Sequence, residues 1–148
     1  MRLIVIISVL LLSSNLFSQK EASNWFFGYK AGVTFTVSPP AFLAGGVIHS
    51  SECSNAISDP QGNLLFYTDG DTIWNKLHLV MANGMGLLGS SSAVQGAMIV
   101  KQPGSSNNYY VFTLSQVGGV NGFRYSTVDM SLAAGMGSVT IVKLLKQD

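Results

Sequence analysis

The stretch from Gly62 to Met81, GNLLFYTDGDTIWNKLHLVM, decides how the chain is read. Its aspartates and its histidine raise a metal or catalytic site; its aromatic and β-branched runs raise a hairpin whose rings fill a core. Ligand spacing weighs against the first. A calcium loop of the EF-hand type needs oxygen ligands at its first, third and fifth positions and a closing Glu at its twelfth. Counted from Asp69, the fifth position is Ile73 and the twelfth is Val80. Asp-Gly between two aromatic runs is instead a strong hairpin signal, because glycine accepts the positive φ of a tight turn. The reading is a strand over 63–68, a turn at Asp69-Gly70-Asp71 and a strand over 72–75 carrying Trp74. A further strand over 77–81 then sets Leu77, Leu79 and Met81 on one face and His78 and Val80 on the other.

The same grammar runs outward from there. Short runs rich in aromatic and β-branched residues lie at 24–28, 32–37, 54–59, 97–101, 108–114, 123–130 and 139–145, separated by Gly, Pro, Asn, Asp and Ser. Helical spacing of apolar residues is broken by glycine wherever it starts. The fold class expected is all-β. A continuous apolar run such as LLFY (64–67) predicts a strand buried on both faces. Trp25, Trp74, Tyr67, Tyr109 and Tyr110 are therefore expected chiefly as core rings, with a glycan- or protein-binding platform as the alternative.

The N-terminus has another character. Met1-Arg2, the apolar run LIVIISVLLL (3–12) and the polar SSNLFSQ after it follow the pattern of a secretory signal peptide. The run is shorter than the roughly 20 residues of a membrane-spanning helix. The expected segments are a signal peptide over 1–18, cut after Ser18, and an all-β region over 19–148. This segment also accounts for much of the mean hydropathy of +0.36, while the 47% hydrophobic content is spread along the chain. A net charge of +1 with 10% charged residues gives no basic face for nucleic acid. Cys53 is the only cysteine, so no internal disulfide can form, and it is expected as a small buried residue.

An internal repeat sharpens the architecture. DPQGNLLFYTD (59–69) lies over QPGSSNNYYVFTL (102–114), NAIS (55–58) over AMIV (97–100), and NGMG (83–86) over AGMG (134–137). The offsets are 43 residues at Pro60 and Pro103, 45 at Thr68 and Thr113, and 51 at Met85 and Met136. A period in the forties with about four short strands per unit is the footprint of a β-propeller blade. The 130 residues after Ser18 allow two to three blades, whereas closed propellers have about four to eight. A partial array, truncated at its C-terminus, is therefore expected, with a self-contained β-sandwich as the alternative.

Taken in order, NWFFG (24–28), SDPQGNLLFYTDG (58–70), IWN (73–75), NGMGLLG (83–89), IVKQPGSSNNYYVFT (99–113) and GFRYSTVDMSL (122–132) resemble one known region. It is the N-terminal β-propeller-like region of large secreted proteins of the Bacteroidetes. Those proteins often end in a gliding-motility-associated, type IX secretion sorting domain, with immunoglobulin-like modules between. The resemblance spans Asn24 to Asp148. It implies export across the outer membrane, surface attachment or release, and no established catalysis. The sorting domain, the rest of the propeller and the immunoglobulin-like repeats are not in this sequence.

Chemistry finds little support in the residues. His49 and His78 have no Cys, His or Asp partners at zinc spacing. No G-x-S-x-G occurs, and the serines cluster in loop-like runs such as Ser90-Ser91-Ser92. Glu52, Asp59, Asp69, Asp71 and Asp129 sit in turn-like contexts where short acids cap backbone amides. No catalytic, cofactor or metal residues are assigned. The function expected is a non-catalytic, exported interaction or adhesion module at the cell surface, binding a surface glycan or protein and meeting the membrane only during export. The alternatives are part of a secreted hydrolase whose active site lies beyond residue 148, and a structural spacer.

Overall fold

The structure, a computed structural model, describes residues 20–145. The expected signal peptide, with its cut after Ser18, lies outside the described residues. Ten strands form three antiparallel sheets in chain order. The first sheet is β1 (Asn24–Phe27), β2 (Ala31–Thr34) and β3 (Ala41–Phe42). The second is β4 (Asn55–Ser58), β5 (Leu64–Thr68) and β6 (Ile73–Asn75). The third is β7 (Ala97–Lys101), β8 (Asn108–Leu114), β9 (Phe123–Asp129) and β10 (Ser138–Leu144). In each, every strand pairs with its neighbour in sequence, so each sheet is a meander joined by short reversals. Single 3₁₀ turns at Gln116–Gly118 and Ala133–Gly135 are the helical segments among the described residues.

The sheets stack in sequence. Phe26 of β1 packs on Tyr67 of β5, with Ile48 from the linking loop and Leu43, Ala56, Leu64 and Trp74 around them. On the other side of the second sheet, Phe66, Ile73, Met81 and Leu87 meet Ile99, Tyr109, Val111, Val128 and Val139. β5 is thus the middle of the molecule. Phe66 and Tyr67 are consecutive residues, both 0% exposed, and each fills a different core, as alternation along a strand requires. A bulge between Ile57 and Ser58 in the β4–β5 pairing lets Leu65 pack on the same side as Phe66.

The repeat read from sequence maps onto this order. NAIS is β4, and AMIV lies in β7; Pro60 and Pro103 both sit in the reversal after the first strand of their sheet. Thr68 and Thr113 are buried at the end of β5 and near the end of β8. NGMGLLG runs along the outer side of β6 without being a regular strand. Ile73 N–H donates to Gly84 O, Met81 N–H to Ile73 O, and Leu87 N–H to Asp71 O.

One strand expectation is corrected. The strand expected over 77–81 is a reversal. The side-chain oxygen of Asn75 accepts from the N–H groups of Leu77 and Leu79 at 2.9 and 3.3 Å. His78 N–H donates to Asn75 O, and His78 takes a φ of +62°, which Asn, His and Gly tolerate better than other residues. Leu77 and Leu79 consequently face solvent while Met81 is buried, so the three do not share a face. One strand, β3, had no counterpart in the sequence reading. Ala41–Phe42 pairs with Thr34 and Val33, a two-residue element too short to show periodicity in sequence.

Candidate binding surfaces

The Asp69-Gly70-Asp71 segment is the β5–β6 turn, and its polar atoms are occupied locally. Asp69 Oδ1 accepts from the N–H of Asp71 at 3.0 Å and of Thr72 at 2.8 Å. Thr68 Oγ1 donates to Thr72 O and accepts from Gly70 N–H. Gly70 has a φ of +92°, and a Cβ there would lie 2.9 Å from Cys53 Sγ. Asp71 Oδ1 accepts from Leu88 N–H, so the passing loop closes over the turn. Among the described residues no group of three or more His, Cys, Asp or Glu lies close enough to hold a metal ion.

The other two aspartates among the described residues behave alike. Asp59 Oδ1 accepts from the N–H of Gln61 and Asn63, and its Oδ2 from the Asn63 side-chain amide. Desolvation pushes its carboxyl upward, but these hydrogen bonds, joined by Gly62 N–H, outweigh it and leave the pKa below its ordinary value. Asp129 is held down by the hydroxyl and N–H of Ser131.

His78 does not project from a strand; it lies in a box of rings. It is edge-on to Phe26 at 5.4 Å, while Tyr67 stacks between Phe26 at 4.5 Å and Trp74 at 5.5 Å. Val47 N–H donates to the Tyr67 hydroxyl, which also meets Nδ1 of His78 at 3.2 Å. Burial raises the Tyr67 pKa. His49, in the other loop, stands edge-on to Tyr29. Cys53 is 0% exposed, and burial, with the charge of Asp69 beside it, raises its pKa to about 11.

Of the aromatic residues considered from sequence, Tyr67 and Tyr109 are core, Trp74 is half-buried on Tyr67, and Trp25 is not core. Trp25 is 50% exposed, held by its indole N–H to Ala22 O and edge-on to Phe35. It lines an open cleft of about 670 Å³ where β1, β4 and β7 converge, with Glu21, Phe27, Asn55, Ile57 and Ile99. Glu21 keeps one carboxyl oxygen, Oε2, buried with no hydrogen-bond partner. Glu21 and Asn55 were not singled out by sequence, since Glu21 stands in no motif, Asn55 enters only as the first residue of the NAIS strand, and only the approach of the strands brings them together.

Two sheet faces are also open among the described residues. On the third sheet, Met98, Phe112 and Tyr125 form one cross-strand row, Val100, Tyr110, Thr127 and Ile141 a second, and Leu114 pairs with Phe123. On the first sheet, Trp25, Val33 and Phe42 form a row, with Phe35 beside Trp25. No helix among the described residues is long and apolar enough to cross a membrane. Compared with known proteins, the chain matches no family model, no curated protein and no solved structure.

Proposed function

We propose that the three sheets are successive blades of a β-propeller and that the chain is an exported, non-catalytic interaction module acting at the cell surface or outside the cell. The observation that carries the architecture is the placement of the first strands. β1, β4 and β7 are each an edge of their own sheet, β1 packs against β4, and β4 packs against β7. Blades arranged around an axis bring their innermost strands together in this way. The sequence repeat and the resemblance to the Bacteroidetes secreted proteins support the same reading. A two-layer sandwich fits less well, because the second sheet is covered on both faces.

Export is supported by the sequence of residues 1–18, and interaction by the cleft at the converging strands. A half-exposed tryptophan held in place offers a flat apolar surface to the C–H face of a sugar ring. The Glu21 carboxylate offers an acceptor to hydroxyl groups, and the Asn55 amide, which gives one N–H to Ala97 O, has its oxygen and second N–H left for them. A surface glycan is thus the favoured partner and a surface protein the second.

The test is a glycan array and a cell-surface pull-down with the chain from Gln19 to Asp148, beside its Trp25→Ala variant. Binding that falls at least about tenfold in the variant, equivalent to 1.4 kcal/mol, is the expected outcome. Blank results from both assays with folded protein would remove the reading. N-terminal sequencing of exported protein checks the cut after Ser18.

A further inference from the structure

The cleft at Trp25 is joined to a second hollow. This space of about 400 Å³ shares Glu21, Ala22, Ile57 and Ile99 with the cleft and adds Lys101 and Tyr109. The two make one groove along the first strands of the sheets, and Glu21 lies where they meet. The indole N–H of Trp25 donates to the carbonyl of Ala22, the residue after Glu21. Ring and carboxylate are thus fixed to the same turn, which Ser23 N–H closes on Lys20 O. Oε2 of Glu21 is buried without a hydrogen-bond partner, and the cleft around it is largely apolar, with Phe26, Ala56, Ile57 and Ile99. A carboxylate so placed calls for a counter-charge. Asn55 adds a further acceptor, since its amide gives an N–H to Ala97 O and keeps its oxygen free. The negative field reaches along the groove: burial, and then the charges of Asp59 and Glu21, raise the pKa of Tyr109.

We propose that the groove selects glycans carrying a free amine, whose ammonium sits between the Glu21 carboxylate and the Trp25 ring. The inference rests on the glycan-binding reading above and names the sugar class. A hydroxyl gives the carboxylate one hydrogen bond and leaves its charge uncompensated. An ammonium supplies three donors and the opposite charge, and the same cation is attracted to an indole face within about 6 Å of the ring centre. Rotation about the last bond of the Glu21 side chain is soft, and it turns either oxygen toward the cleft that the residue lines. Lys101 sets the limit of this preference. Its ammonium repels a second amine in the second hollow, where it and the Tyr109 hydroxyl suit the hydroxyl groups of a neutral ring. The ligand class is therefore a chain of amino sugars only partly N-acetylated.

The experiment is isothermal titration of the chain from Gln19 to Asp148 with three β-linked tetramers: N-acetylglucosamine, the same chain partly de-N-acetylated, and glucose. The partly deacetylated tetramer is expected to bind at least about tenfold tighter than either neutral one. Glu21→Gln, which keeps the shape of the side chain and removes its charge, brings the three level. Circular dichroism verifies its fold. Raising sodium chloride from about 50 to about 500 mM weakens the amine-bearing tetramer alone, a readout on the wild type that stands even if the variant does not fold. A wild type that binds the neutral tetramers as tightly, or a folded Glu21→Gln that keeps the preference, overturns the selection for amines and leaves the glycan reading in place. Failure to bind any of the three overturns it as well. The glycan array then separates the two ideas: hits among other glycans retain the broader reading, and a blank array removes both.

Discussion

Cys53 shows how far a single residue can be read. Its isolation in the sequence excludes an internal disulfide, and its small apolar character points to burial, but its environment is a tertiary matter. The thiol lies against the turn at Gly70, and a Cβ on Gly96 would come within 3.2 Å of its Sγ. Burial and the Asp69 charge together keep it protonated, with a pKa of about 11. Thiolate is the reactive form. Native protein at pH 8 is therefore expected to alkylate with iodoacetamide more than about a hundredfold slower than urea-unfolded protein, whose thiol returns to a pKa near 8.5. Mass spectrometry of the timed reaction gives the ratio; equal rates in the two states would contradict the buried placement.

At the scale of the element, turns rather than strands carry the polar chemistry. The Asp59 reversal between β4 and β5 is closed by Gly62 N–H to Asp59 O, with Asp59 Oδ1 accepting from two further amides. Because its pKa is lowered from 3.8 in the folded state, the folded state holds its proton less tightly than the unfolded chain. The stabilisation this confers is present above the unfolded pKa and is lost as pH falls through the folded one. An Asp59→Ala variant is expected to be less stable than wild type at pH 7, with the gap narrowing as pH drops below about 4. Urea melts at a series of pH values measure this, and a gap that stays constant would refute it.

Elements also mark where sequence reading held and where it failed. β5 was legible because LLFYT combines β-forming residues with an apolar run too continuous for a one-sided strand. The Asp-Gly turn was legible because only a few residues accept its backbone. Residues 77–81 misled because apolar alternation there resembles a strand, while Asn75, just before it, captures two amides and reverses the chain. Local hydrogen bonding by a side chain competes with the sheet ladder, and alternation alone does not reveal which prevails.

For the whole molecule, the two cores meet at β5, so the sheets are expected to unfold together. Truncating Phe66, which is fully buried between the second and third sheets, should cost about 3–5 kcal/mol. The loss should also be felt in the first sheet, although Phe66 touches the other side of β5. Trp25 fluorescence in a Trp74→Phe background reports on the first sheet, and circular dichroism on all of them. Coincident shifts of both transitions in Phe66→Ala are expected. A Trp25 transition that stays in place would mean that the first sheet unfolds on its own.

By itself, the sequence determined the class, the Asp-Gly turn and the repeat, because these depend on local chemistry: side-chain alternation, glycine's freedom at positive φ, and short acids capping amides. It did not reveal the cleft at Glu21, Trp25 and Asn55, nor the two faces left uncovered. Those depend on which sheet lies against which, and that is set by contacts among residues far apart in the chain, where Phe26 meets Tyr67 and Phe66 meets Tyr109. Local pattern states that a strand has a buried side; only the tertiary structure decides what buries it, and therefore what remains open to a partner.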